Sequence, residues 1–121
     1  MDKIKLITFE TPSNYYFVKG RETYENLLFN TLSLSLDQFI EMSQIFPDYI
    51  KIDVDGAEPG VIAGMAETVQ NKRLKSVVVE VSDVSEAGIT DFFETAGFKI
   101  DFERRFDDGK VFYKNIIFVR K

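Results

Sequence analysis

Tyr49-Ile50-Lys51-Ile52-Asp53-Val54-Asp55-Gly56-Ala57-Glu58 is the stretch that decides the fold. In an extended strand Ile50, Ile52 and Val54 point one way, and Lys51 and Asp53 the other. Gly56 breaks the run. Pro59 then stands at the first turn of a helix, where its missing N–H costs nothing. Val61, Ile62, Met65 and Val69 follow as one apolar stripe at helical spacing. Gly60 and Gly64 predict a helix packed close to a sheet, with Asn71 at its end.

Working outward, Ser76–Val81 is Val-rich and reads as a strand buried on both faces, as in a parallel sheet. Gly88–Ala96 reads as a short helix with Ile89, Phe92 and Phe93 inward, ended by Gly97. Phe98, Ile100 and Phe102 alternate as a strand. Asp107-Asp108-Gly109 signals a hairpin, and Tyr113–Val119 returns antiparallel. Upstream, Ser35-Leu36-Asp37-Gln38 fits a capping box. It opens a helix with Leu36, Phe39 and Ile40 on one face, stopped by Pro47. Residues 3–9 alternate weakly, as a strand would. Residues 11–34 read as irregular, with short strands conceivable at Tyr15–Val18 and Leu32–Leu34. Strands alternating with helices imply an α/β fold, a mostly parallel sheet with a C-terminal antiparallel hairpin.

With 121 residues, the chain suits one small domain. Apolar content of 45% and 12 Phe supply a core. The net charge of −5 disfavours nucleic acid as a partner, because no basic cluster overrides it. Lys72, Arg73 and Lys75 read as complements to a helix end. The chain has no Cys and no His, so disulfide scaffolds, cysteine redox, His-containing zinc sites and Ser-His or Cys-His nucleophiles all drop out. No apolar run has the ~18 residues of a membrane span, and Met1–Lys5 lacks a signal peptide's apolar stretch. The default expectation is a cytoplasmic protein with no membrane partner.

The chemistry gathers at Asp53, Asp55 and Glu58, beyond the end of the first strand, and at Glu80 near the end of the next. In open α/β sheets, ligands bind outside the carboxyl ends of strands. If the two strands are neighbours, ~4.8 Å apart, Asp53 and Glu80 face one crevice. Close carboxylates there raise one pKa or recruit a cation. A purely structural reading stands beside this one. Asp and Gly after a strand often only build a turn, and Glu58 suits a helix start electrostatically. Glu80, in a Val-rich strand, needs a partner in any reading. An EF-hand is ruled out, because its first and twelfth positions would be Lys51 and Ile62. There is no G-x-G-x-x-G and no P-loop.

Lys51-Ile52-Asp53-Val54-Asp55-Gly56-Ala57-Glu58 with Val61-Ile62-Ala63-Gly64-Met65 resembles the signature of FkbM-type methyltransferases. Ser35-Leu36-Asp37-Gln38-Phe39-Ile40 is similar to the family's S/T-L-D-D-F/L segment. Leu74-Lys75-Ser76-Val77-Val78-Val79-Glu80-Val81 is similar to its next strand. The resemblance covers Ser35 to Phe98, with 35–121 best matched and 1–34 as an irregular N-terminal segment of one partial domain. It implies a Rossmann-like methyltransferase fold, truncated. Tyr49–Val54 would be its fourth strand, Ser76–Val81 its fifth, and the hairpin its sixth and seventh.

The resemblance further implies methyl transfer from S-adenosylmethionine to a hydroxyl of a small molecule (sugar, lipid or metabolite). Asp53, Asp55, Glu58 and Glu80 would be catalytic, by positioning, as base or as metal ligands. Asp55 replaces the family's commoner Glu. The family's glycine-rich turn and its ribose-holding acid have no counterpart here, so the expectation is a donor site incomplete in this chain alone. Two other readings compete. One is a non-catalytic domain that binds a partner, or a second copy, through the sheet edge beside the fourth strand. The other is a D-x-D metal-dependent glycosyltransferase-like fragment built on Asp53 and Asp55.

Overall fold

The computed structural model describes residues 6–10, 34–107, 109 and 112–121. The expected strand at Tyr15–Val18 lies outside them, as does nearly all of that at Leu32–Leu34. Among the described residues, five strands form one sheet: β1 (Leu6–Glu10), β2 (Tyr49–Asp53), β3 (Ser76–Ser82), β4 (Phe98–Asp107) and β5 (Phe112–Arg120). Their spatial order is β1-β2-β3-β5-β4. β1, β2 and β3 run parallel, while β5 is antiparallel to both β3 and β4. The mixed sheet with its terminal hairpin is the architecture expected from the sequence. The place beside β2, expected to be a bare edge, is filled by β1, with Ile7 level with Ile50 and Phe9 with Ile52. An open β2 edge for self-association is therefore not what the fold presents.

Among the described residues, three α-helices accompany the sheet: α1 (Leu36–Ser43), α2 (Glu58–Ala63) and α3 (Glu86–Thr95). The capping box at α1 is complete. Ser35 Oγ accepts from the Gln38 N–H at 3.1 Å, and Gln38 Oε1 accepts from the Ser35 N–H at 3.0 Å. α1 stops before Pro47, because Gln44 turns left-handed at φ 57°. Leu36 is buried, but Phe39 is 38% exposed, so the apolar stripe of α1 is only partly covered.

The long helix expected from Pro59 to Asn71 is broken after one and a half turns. A 3-10 turn at Thr68–Gln70 completes the path. Gly64 is the residue at which α2 ends. A Cβ there would lie 2.8 Å from the Cβ of Ser35, so the close approach is to the cap of α1 rather than to the sheet.

The core lies on one face of the sheet. Ile50, Ile52, Val77, Val79, Val81, Ile116 and Phe118 pack against Leu36, Ile62, Met65, Val69, Ile89 and Phe93. Phe93 stacks on Phe118 with centroids 4.6 Å apart. β3 alternates buried and half-buried residues, so the expected burial on both faces does not hold. Its strict alternation reflects helices on one side, and only one of its two neighbours is parallel. In β4 a bulge between Ile100 and Phe102 shifts the register. Phe98 is buried, whereas Phe102 pairs with Ile117 on the opposite face and is 53% exposed.

Arg120 ties the C-terminus to the connections below the sheet. It donates to the carbonyls of Leu74, Val69 and Asn71, with its guanidinium 4.3 Å over the Phe98 ring. No helix among the described residues is long and apolar enough to cross a membrane.

Candidate active site

The site is built by the parallel pairing of β2 with β3. Ile52 is level with Val79, so Asp53, the last residue of β2, falls beside Glu80. Both side chains leave the sheet on the face opposite the core, since Ile52 and Val79 point into the core. Adjacent strands bring such a pair within hydrogen-bonding range, and Glu80 is hydrogen-bonded to Asp53. Glu80 is half-buried. Burial, then the hydrogen bond and the charge of Asp53, and then the charges of Asp55 and Glu58, push its carboxyl up to about 7. A carboxylic acid that titrates near neutrality can hold and release a proton at working pH. Asp53 and Glu80 are neighbours at the carboxyl ends of adjacent parallel strands, as expected.

The turn that follows is strained. Asp55 has φ 49° and Gly56 φ 96°. Gly takes such a conformation freely, and Asp tolerates it better than most side chains do. That tolerance gives a local reason for a short acid at position 55. Asp55 is exposed at the rim.

Glu58 is different, being only 3% exposed. Its Oε1 accepts from the N–H groups of Val54 and Gly56, each at 3.3 Å. The carboxylate thus folds back and closes the turn that carries Asp55. Among the described residues, no cluster of three Asp or Glu side chains has a metal-holding arrangement, and the D-x-D glycosyltransferase reading gains nothing from the geometry.

One motif residue has a role that its spacing does not reveal. Asp37 accepts from the N–H groups of Glu67 (3.0 Å) and Thr68 (2.9 Å), and from the Thr68 hydroxyl. Burial works to raise its pKa, but these hydrogen bonds outweigh it and hold Asp37 below the ordinary carboxylate value. The Asp37 N–H also donates to the Gly64 carbonyl at 2.9 Å. Asp37 therefore clamps the start of α1 onto the chain leaving α2. Arg73, read from sequence as a helix-end charge, instead lies 3.5 Å from Asp48.

A groove of about 430 Å³ lies beside the turn, lined by Leu34, Leu36, Ala57, Gly60 and Val61 among others. A smaller one adjoins it at Ile7 and Phe39. These offer an apolar wall for a flat ring, but no carboxylate of the described residues lines either.

A family model for the methyltransferase FkbM domain matches residues 8–100. This chain belongs to the FkbM methyltransferase family. The match begins inside β1, upstream of the Ser35 boundary that the motifs suggested. No curated protein matches.

Among solved structures, TrmK of M. capricolum, in complex with S-adenosyl-homocysteine, superposes with a TM-score of 0.60 at 12% identity, covering 100% of this chain and 64% of that one. A Streptococcus pneumoniae protein assigned as a tRNA (m1A22) methyltransferase, in complex with S-adenosyl-L-methionine, gives 0.57 at 17% identity, covering 95% and 54%. A Streptococcus agalactiae protein of the NADB-Rossmann superfamily gives 0.56 at 14%, covering 97% and 51%. At these identities the likeness shows the Rossmann-like fold. This FkbM chain spans between about half and two thirds of the length of those proteins. Its family and two of these neighbours agree with S-adenosylmethionine as the donor of the fold.

Proposed function

We propose that this FkbM-family chain carries the acceptor side of an O-methyl transfer, with the Asp53–Glu80 pair receiving the proton of the acceptor hydroxyl. The observation that supports it is the hydrogen bond between these two carboxyl groups at the carboxyl end of adjacent parallel strands, with Glu80 titrating at about 7. S-adenosylmethionine, when bound, supplies a methyl group on a sulfonium, which is open to attack by an oxygen. The residues of this chain do the rest. One carboxylate accepts a hydrogen bond from the hydroxyl and orients its lone pair. As the oxygen becomes bonded to carbon, its proton passes to the pair, where Glu80 holds it at neutral pH. Asp55 adds negative charge at the rim, favouring a neutral or cationic group there. Glu58 is a positioning residue, because it fixes the turn through backbone N–H groups.

The net charge of −5 and the acidic rim favour a small-molecule acceptor over nucleic acid. The test is transfer of labelled methyl from millimolar S-adenosylmethionine to a panel of alcohols, phenols and sugars. Label on oxygen that rises with pH through about 7, and is lost in Glu80→Gln and Asp53→Asn, is expected. Label on nitrogen, no label on any hydroxyl compound, or transfer indifferent to both substitutions overturns the proposal.

A further inference from the structure

The acid pair does not stand alone on its face of the sheet. Glu80 is level with Asn115 of β5, and Asn115 with Arg104 of β4. Residues directly opposite in antiparallel strands leave the sheet on the same side. Asp53, Glu80, Asn115 and Arg104 therefore form one polar row across four strands, on the face away from the core. At ~4.8 Å per strand, Arg104 lies roughly 10 Å from Glu80.

The next row toward the carboxyl end of β3 is aromatic. Tyr113 is paired with Phe106, and their rings stack with centroids 5.3 Å apart and planes 19° from parallel. Phe106 covers one face of Tyr113 from the β4 side, and Tyr113 is only partly buried. The Arg104 guanidinium sits 5.1 Å from the centroid of Phe106, which positions the cation at the far end of the row. The row thus runs from an acidic end, through an amide and beside a tyrosine ring, to a cationic end.

We propose that this row is the acceptor subsite and that it takes a sugar bearing an anionic group, with a hydroxyl at Asp53–Glu80, the ring against Tyr113 and Asn115, and the anion at Arg104. The inference rests on the O-methyl transfer reading, which fixes which end holds the reacting hydroxyl. Three features point to this class of ligand. A tyrosine ring flanked by amide and guanidinium donors suits a pyranose, whose C–H face stacks while its hydroxyls bond outward. The opposed charges at the two ends orient a ligand that is anionic at one end only, because an anion at the acid pair is repelled and at Arg104 is attracted. The span of roughly 10 Å matches one sugar ring with its substituent, once the reach of the arginine side chain is included.

The test is titration of the isotope-labelled chain, followed by backbone amide shifts, with glucose 6-phosphate, glucuronate, methyl glucoside and inorganic phosphate. Saturable shifts at residues 80–82, 104–106 and 113–115 are expected with the two anionic sugars. Affinity should fall by about tenfold for methyl glucoside and for Arg104→Gln, and by at least ~threefold for Tyr113→Leu. Shifts with inorganic phosphate alone, equal affinity for charged and neutral sugars, or binding unchanged in both variants overturn the subsite. The labelled-methyl assay separates the two ideas. A sugar that binds in this row but is never methylated leaves the subsite standing and removes the transfer reading. Methylation of a non-sugar alcohol that depends on Glu80, with no shift in the row, does the reverse.

Discussion

Replacing Glu80 by Gln should make the protein more stable at alkaline pH, and the size of the gain follows from the site. In the unfolded chain a glutamate titrates near its ordinary 4.5, whereas in the fold Glu80 is raised to about 7. A group raised on folding contributes stability that is fully present below about 4.5 and is lost as pH rises through about 7. The cause is direct. Above that range the fold must hold a second carboxylate beside Asp53 in a half-buried place, whereas the unfolded chain ionises freely. At about 1.4 kcal/mol per pH unit, the full span would be worth roughly 3 kcal/mol. Glu80 keeps part of its contact with water, and solvent screening reduces that to ~1–2 kcal/mol.

Glutamine keeps the shape and a hydrogen bond to Asp53 but carries no charge. Urea unfolding of both proteins at pH 5 and pH 8 measures the difference. The wild type should lose ~1–2 kcal/mol relative to Glu80→Gln between the two conditions, moving its midpoint by about 1 M at a typical slope. Parallel behaviour of the two proteins across this range would refute the reasoning, since it would mean that Glu80 ionises in the fold as it does in the open chain.

Three further substitutions test the scaffold that holds the pair. Asp37→Ala removes hydrogen bonds to Glu67 and Thr68 and should lower stability by about 2 kcal/mol at pH 7 in chemical unfolding. Because the pKa of Asp37 is depressed, that loss should shrink as pH falls through the folded value. Gly64→Ala places a Cβ 2.8 Å from that of Ser35 and should cost ~1–3 kcal/mol in thermal unfolding, since two backbone segments must move apart. Glu58→Ala leaves the Val54 and Gly56 N–H groups without their carboxylate and should cost ~1–3 kcal/mol. Amide exchange should then quicken first at residues 54–57.

Much of this arrangement was legible in the sequence because it is written in local pattern. The alternation of Ile50, Ile52 and Asp53 set the direction of each side chain in β2. The Val run set β3, and Asp107 to Gly109 set the hairpin. Once both strands were placed, the neighbourhood of Asp53 and Glu80 needed only that they be adjacent and parallel. What stayed hidden depended on contacts between distant segments. The stripe Val61, Ile62, Met65 and Val69 is compatible with one unbroken helix, and only the structure shows that it ends at Gly64, seated against Ser35. Asp37 reads only as part of the capping-box segment, yet its partners lie some thirty positions away.

The filling of the β2 edge by β1 was hidden for the same reason, since a weakly alternating strand does not announce its neighbour. The bulge in β4 turns Phe102 to the opposite face from Ile100, and no signal in an alternating run predicts that. The polar row from Glu80 to Arg104 is likewise a product of register, which the sequence of either hairpin strand leaves open.

The shared proton of Asp53 and Glu80 is the centre of this account, and the side-chain carboxyl carbon resonances of the folded protein, followed from pH 3 to 9, report it most directly. The Glu80 resonance should show a midpoint at about 7, and in Asp53→Asn it should fall part of the way toward the ordinary 4.5, because burial still acts on it. A Glu80 midpoint near 4.5 in the wild type, unmoved by that substitution, would contradict the account.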